Sequence, residues 1–305
     1  MNDPRLFESV RGLTRPLGDA SRDLVLGDLR LRLEGLPAGL TRDLERRWGG
    51  FLAEPCETAA DLTLRLYQAE TAGWLERPRP GERYRLEARN DEAQRVVVSY
   101  HFAICSEPGA RAWRLAVARD PDEPRERIVE NAARYAVARM ALDAGGFAMH
   151  AAAVLRDGRA WIFAGPSRSG KTTAVGLAAP AASLGDDYAL VAPRNGSWHA
   201  PAVPFDNAER IDSQPPEGWF PVAGIWRLHH GRQTRVERPP SGLLTASLMG
   251  CAAFPWALPE RDGELLERAR RLVAEGLFAH LHFQPDSDLW PVLEPDASTG
   301  PRSRA

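Results

Sequence analysis

Apolar and polar positions alternate through much of the first third of the chain, and a period of two predicts half-buried strands. Residues 23–33 alternate as a strand or a tight hairpin, and residues 60–66, 83–88, 95–103 and 112–117 repeat the pattern. In between the period changes. Leu40, Leu44 and the Arg47-Trp48 pair stand at helical spacing, which predicts a short helix over 36–51 that ends at Gly49-Gly50. Residues 1–20 are a polar lead-in. Residues 1–122 thus predict an α+β module, and no constellation of side chains in it carries chemistry.

Residues 119–127 hold two prolines and seven charges and mark a boundary. Beyond it Ile128, Ala132, Ala136 and Met140 form one i,i+4 row and Val129, Ala133, Val137 and Ala141 the next, a helix closed by Gly145-Gly146. Residues 147–155 predict a strand, Asp157-Gly158 a two-residue turn, and 160–164 the following strand. A small-residue helix over 172–179 stops near Pro180, and short strands follow at 181–184 and 188–192. Eight helical residues rise about 12 Å and five strand residues about 16 Å. A right-handed crossover can therefore return the chain parallel to 160–164 and bring Asp186 and Asp187 out at the carboxyl edge of that strand. Residues 193–240 show strand character only at 198–203 and 223–228. Helices at 243–251 and 264–275 and a strand at 277–283 complete an α/β domain over 123–285. Residues 286–305 read as a loosely ordered tail.

At the head of the crossover stand Gly165, Pro166, Ser167, Arg168, Ser169, Gly170, Lys171 and Thr172, followed by Thr173. This is G-x-x-x-x-G-K-T, with an apolar strand before it and a helix start after it, the context of a phosphate-cradling loop. Loop N–H groups and the positive end of the helix favour an anion there, and the glycines let the backbone approach it. Lys171 would reach the terminal phosphates, and the Thr172 hydroxyl would take Mg²⁺. Composition sharpens the point. The 39 basic residues are 38 arginines and one lysine, Lys171. A compact ammonium on a flexible stem survives only where it suits a phosphate.

Two adjacent carboxylates at a strand end can divide the remaining work of phosphoryl transfer, one near the metal and one facing the acceptor. The bland alternative for Gly185-Asp186-Asp187 is a turn. His150, on the strand before the loop strand, reads by itself as an ordinary core histidine. Arg227, His229 and His230 follow an apolar piece and could line a substrate site, but they read better as surface residues. His280 and His282 share one strand face, but two histidines without a third ligand are weak evidence for a metal.

A net charge of −2 and a pI near 6.4 supply no basic field for nucleic acid. Cys56, Cys105 and Cys251 are scattered without C-x-x-C spacing, which argues against a disulfide framework and for a reducing cytoplasm. The first residues lack a signal-peptide pattern, and no apolar run is long enough to span a membrane.

Met149, His150, the alanines after them, a short turn, Trp161 to Thr173 and then Gly185, Asp186 and Asp187 resemble, in order and spacing, the catalytic core of the HPr kinase/phosphorylase family. ATP-type phosphoenolpyruvate carboxykinase has a similar core. The resemblance covers about residues 125–285. It implies a P-loop kinase domain of that type behind the N-terminal α+β module. It implies ATP phosphates on Lys171 and the loop amides, Mg²⁺ on Thr172 and Asp187, Asp186 as proton acceptor from a substrate hydroxyl, and His150 beside the phosphates or the acceptor. Arg168 stands where that family usually has glycine. The segment that bifunctional members carry after the Asp-Asp pair has no counterpart, so HPr specificity and phosphorylase activity are not implied.

The expectation is an ATP- and Mg²⁺-dependent kinase moving the γ-phosphoryl group to a hydroxyl, on serine of a peptide or protein or on a small molecule. Self-association is left open. The rival is a nucleotide-binding regulatory or scaffold protein without transfer activity. Plain hydrolysis of ATP or GTP is a third reading.

Overall fold

The computed structural model describes residues 10, 12–71, 73–76, 86–90, 94–166, 168–178, 181–206, 214–254, 261–285 and 288–294. The chain divides into two compact units. The first comprises Met1–Asp143 with Ala208–Pro215 and Phe254–Asp262, and the second takes the rest.

The first unit contains β1 (Ala20–Leu26), β2 (Leu29–Leu36), α1 (Ala38–Trp48), β3 (Leu52–Ala53), β4 (Leu62–Gln68), β5 (Glu87–Asn90), β6 (Arg95–Val98), β7 (Phe102–Ser106), β8 (Ala112–Val117) and α2 (Arg125–Asp143). The strands form one sheet in the order β3-β1-β2-β4-β8-β7-β6-β5. The leucine alternation over 23–33 resolves as the β1–β2 hairpin, with Leu24, Leu26, Leu29, Leu31 and Leu33 all buried. Where 95–103 predicts one strand there are two. The Ser99 hydroxyl accepts the N–H groups of His101 and Phe102 at 3.2 and 3.1 Å and turns the chain into β6–β7. Residues 83–85, the head of the strand predicted over 83–88, lie outside the described residues.

The first long stretch of the first unit runs past 122/123, where the sequence suggests a boundary, and ends at Asp143. The reason is α2. Its Glu130, only 2% exposed, is paired with the equally buried Arg47 of α1 and with Arg134 at 3.0 Å. A buried carboxylate so compensated belongs with the element that compensates it.

The second unit contains β9 (Phe147–Met149), β10 (Ala151–Arg156), β11 (Arg159–Ala164), α3 (Lys171–Leu177), β12 (Ala182–Gly185), β13 (Ala189–Arg194), β14 (Ser197–Pro201), β15 (Trp219–His230), β16 (Arg235–Glu237), α4 (Ser241–Met249), all but the first residue of α5 (Asp262–Ala274), β17 (Phe278–Phe283) and α6 (Trp290–Leu293). Its sheet runs β12-β10-β11-β15-β14-β13-β9, with β17 beside β15 and β16 beside β17. This is a correction to the expected α/β fold of a P-loop kinase domain. The chain is mostly β-sheet, in two large mixed sheets. The loop strand β11 has an antiparallel neighbour, β10, and β12 pairs antiparallel with β10 instead of lying beside β11. Among the described pairings of this sheet only β11–β15 and β15–β17 are parallel. The physical cause is turn chemistry. Asp157-Gly158 and Asn195-Gly196 close two-residue hairpins, and such turns force antiparallel neighbours, whereas parallel pairs need long crossovers.

Asp157 and Gly158 have φ of 50° and 73°, the left-handed pair that this hairpin needs. A Cβ on Gly158 would meet nothing within 4 Å, so only the backbone resists it. Gly158→Ala should therefore lower stability by about 1–2 kcal/mol, read as a fall in urea midpoint at constant m-value.

On one face of β11, Trp161 stacks on Trp226 of β15 with centroids 5.2 Å apart and takes the edge of Trp290 at 4.9 Å. Leu289 and Leu293 are buried in the same core. Residues 288–294 are thus packed, contrary to the loose tail expected there, while 286–287 and 295–305 lie outside the described residues. Among the described residues no helix is long and apolar enough to cross a membrane.

Candidate functional site

The predicted strand over 147–155 breaks at His150, and the break builds the site. β9 pairs with β13, whereas β10 pairs with β11 and β12. At the step the His150 N–H donates to the Cys251 carbonyl at 2.8 Å, and the His150 carbonyl accepts the Gly165 N–H at 3.3 Å. The first residue of the glycine loop is therefore tied to the backbone of His150. The ring is aimed at the acidic pair, with Nε2 3.3 Å from Asp187 Oδ1.

Lys171 opens α3 and is 8% exposed. Its ammonium donates to the carbonyls of Gly165 and Pro166 at 3.0 and 3.2 Å and stands 3.7 Å from Asp187 Oδ1. Asp187 thus lies between an ammonium and an imidazole. Gly170, at φ 94°, needs to be glycine on two counts. The conformation is left-handed, and a Cβ there would come 2.6 Å from Cζ of Phe283.

A cavity of about 360 Å³ is lined by Arg168, Gly170, Lys171, Thr172 and Thr173 of the loop, by Asp186 and Asp187, and by His230. The structure therefore brings Lys171, Thr172 and both aspartates to one cavity, with His150 reaching Asp187 from behind. Gly165 and Pro166 contribute carbonyls to Lys171. The Ser169 hydroxyl is buried and has no hydrogen-bond partner among the described residues, an orphan polar atom within the loop. Ser167 lies outside the described residues. Thr172 and Asp187 present hard oxygen donors to the same cavity. That suits Mg²⁺, which takes one or two protein oxygens and completes its shell with phosphate and water.

Two further residues join the site, Asp206, which the sequence reading did not single out, and His230, which it weighed only as a lesser candidate. The Asp186 N–H donates to Oδ1 of Asp206 at 2.7 Å, and Asp206 is 6% exposed. Asp206 is delivered by the β13–β14 hairpin and the stretch after it, where Val203 N–H bonds to the Leu184 carbonyl at 2.7 Å. The Asn195-Gly196 dipeptide was the available clue to that hairpin. The second contributor is His230, whose Nε2 is 3.3 Å from the Arg168 carbonyl. Arg168 itself sits at φ 66°.

The remaining candidates lie beside the cavity, not in its lining. Arg227 donates to the Ser247 carbonyl and hydroxyl at 2.8 and 3.1 Å, closing the last turn of α4. His280 meets the Ser247 hydroxyl at 2.8 Å, and His282 meets Glu237 at 3.0 Å. His229 lies between their rings, with centroids 4.7 Å from His280 and 5.0 Å from His282, stacked on the latter. Stacked rings do not converge on a point, and among the described residues no group of His, Cys, Asp or Glu is arranged to hold a metal. Burial, then the positive charge of His280, His282 and Arg227, pushes His229 down to about 4 from 6.5.

The sign of the consequence follows from linkage. The unfolded chain protonates this histidine near pH 6.5 and the folded chain only near 4, so stability falls as pH drops through that window. His229→Gln should flatten the fall in melting temperature between pH 6.5 and 4. Partial solvent exposure keeps the effect modest. A wild-type profile no steeper than that of the variant would refute the assignment.

Residues 118–211 match the family model described as SynChlorMet cassette protein ScmC. The matched stretch is less than a third of the chain and includes His150, the glycine loop, both aspartates and Asp206. No curated protein matches the chain. This overturns the resemblance to HPr kinase/phosphorylase and ATP-type phosphoenolpyruvate carboxykinase, because the segment carrying those motifs matches ScmC and no kinase family supports the resemblance. The physical reason is that a glycine loop, a histidine and an acidic pair specify a way of meeting phosphate, which unrelated chains can share.

Proposed function

We propose that the chain binds ATP and Mg²⁺ at the glycine loop and transfers the γ-phosphoryl group to a hydroxyl of a peptide, a protein or a small molecule. The observation that carries this reading is the cavity shared by Lys171, Thr172, Asp186 and Asp187. An ammonium, a hydroxyl and two carboxylates within one polar cavity supply what phosphoryl transfer asks of a protein, which is positioning and charge placement.

Each group has a task. Lys171 meets the terminal phosphates. Mg²⁺, held by Thr172 and Asp187, would neutralise charge on the phosphate oxygens. His150 orients the Asp187 carboxylate. Asp186 takes the proton of the acceptor hydroxyl as that oxygen bonds to the γ-phosphorus and the bond from the γ-phosphorus to the bridging oxygen breaks. A phosphate ester and ADP result. Three free thiols support a reducing, cytoplasmic setting.

The test is label transfer from γ-labelled ATP to a panel of seryl peptides, proteins and small polyols. Transfer above that of an Asp186→Asn control supports the proposal. ATP held tightly and recovered intact across the panel would favour the regulatory reading. Phosphate released to water without any acceptor would favour simple hydrolysis.

A further inference from the structure

The cavity is small and polar. About 360 Å³ is at the low end of the roughly 300–1,000 Å³ of ligand sites. Its lining has no aliphatic side chain and one aromatic ring, His230. Such a space suits a triphosphate and its metal, and it leaves the nucleoside outside. What adjoins it there are two flat groups. His230 is exposed on the outer side, and its ring is stacked on Phe283 at 25° with centroids 6.3 Å apart. Phe283 is itself buried and pressed against Gly170, so the imidazole has a rigid backing. Arg168 is exposed, has no carboxylate partner among the described residues, and is tied to His230 through its carbonyl.

We propose that Arg168 and His230 form the subsite for the nucleobase, which stacks on the imidazole and the guanidinium while the phosphates enter the cavity. The inference rests on the nucleotide reading above and adds the part of the ligand that the loop does not touch. Imidazole and guanidinium planes both accept the π-face of a base. His230 also explains how Arg168 is tolerated at a left-handed position in the loop, since the bond to its carbonyl holds that conformation.

Calorimetry with two probes, ATP and inorganic tripolyphosphate, each with Mg²⁺, tests this. Wild type should bind ATP more tightly than tripolyphosphate. His230→Ala should weaken ATP about tenfold and leave tripolyphosphate within about twofold, Arg168→Ala should weaken ATP more than it weakens tripolyphosphate, and His230→Phe, which keeps a ring, should retain ATP affinity. Equal weakening of both probes in His230→Ala would mean that His230 only braces the loop, and the subsite is then refuted. Wild type that binds tripolyphosphate as tightly as ATP refutes the subsite while the phosphate site stands. Wild type that binds neither probe removes the phosphate site and this subsite with it.

Discussion

Lys171→Ala should raise the dissociation constant for ATP at least about 100-fold while the chain stays folded. Charge-assisted hydrogen bonds to phosphate contribute about 1.5–3 kcal/mol each, and one such bond and part of a second already amount to that factor. No other ammonium exists to compensate, because Lys171 is the only lysine of the chain. Its present bonds to Gly165, Pro166 and Asp187 hold the ammonium at the cavity before any ligand arrives. Their loss has a price in the folded state too. Asp187 is left with the His150 ring and no ammonium beside it, so a drop of about 1–3 kcal/mol in stability accompanies the binding defect. Lys171→Arg should not rescue binding, since a planar fork replaces a compact charge in a space 8% exposed. Circular dichroism and a melting curve separate the two effects, and calorimetry reads the first. An unchanged dissociation constant in a folded Lys171→Ala protein removes the loop from the site.

Much of the site was legible because it is local. The spacing from Gly165 to Thr172 places the ammonium, the hydroxyl and the tight glycine in one turn of chain, and no long-range contact is needed to see it. Asp186 and Asp187 were legible by length, since a short helix and a short strand return the chain to the same edge. Asp206 was not legible, and His230 was legible only as a residue that could line a site but read better as surface. Each reaches the site from a distant segment, Asp206 to the Asp186 N–H and His230 to the Arg168 carbonyl. Nothing in the spacing of either residue encodes that arrival.

The fold was misread at particular places for particular reasons. Helical spacing over 172–179 predicts a crossover that pairs its flanking strands, but α3 closes after Leu177 and β12 passes beyond β11 to the far side of β10. The direction of β12 is the expected one and its neighbour is not. Period and length indicate which way a strand runs, and the neighbour is decided by which hairpin closes first. His150 shows the same limit on a smaller scale. An apolar run reads as one strand, and the two hydrogen bonds that break it come from Cys251 and Gly165.

Asp186→Asn should lower the rate of phosphoryl transfer by about 10²–10⁴-fold, the usual contribution of a positioned general base, and leave the dissociation constant for ATP within a few-fold. The substitution is nearly isosteric, and the bond that holds this turn is made by the Asp186 backbone N–H to Asp206, so the amide keeps its place. What is lost is the ability to take a proton. Asp187→Asn should behave differently. That carboxylate stands 3.3 Å from His150 and 3.7 Å from Lys171, so its neutralisation loosens the ammonium and weakens the proposed metal position together. The defect should then appear mainly as a higher Mg²⁺ requirement. Asp206→Ala separates positioning from chemistry. It removes the acceptor that orients Asp186 and leaves the Asp186 carboxylate intact, so kcat should fall by less than in Asp186→Asn while ATP affinity is retained. Kinetics resolved into kcat and KM over a Mg²⁺ series distinguish the three variants. If Asp186→Asn transfers phosphoryl at the wild-type rate, the proton goes elsewhere and Asp186 is only a turn residue. If all three lose ATP binding alike, the turn is a structural support of the loop and the division of labour between the two carboxylates is wrong.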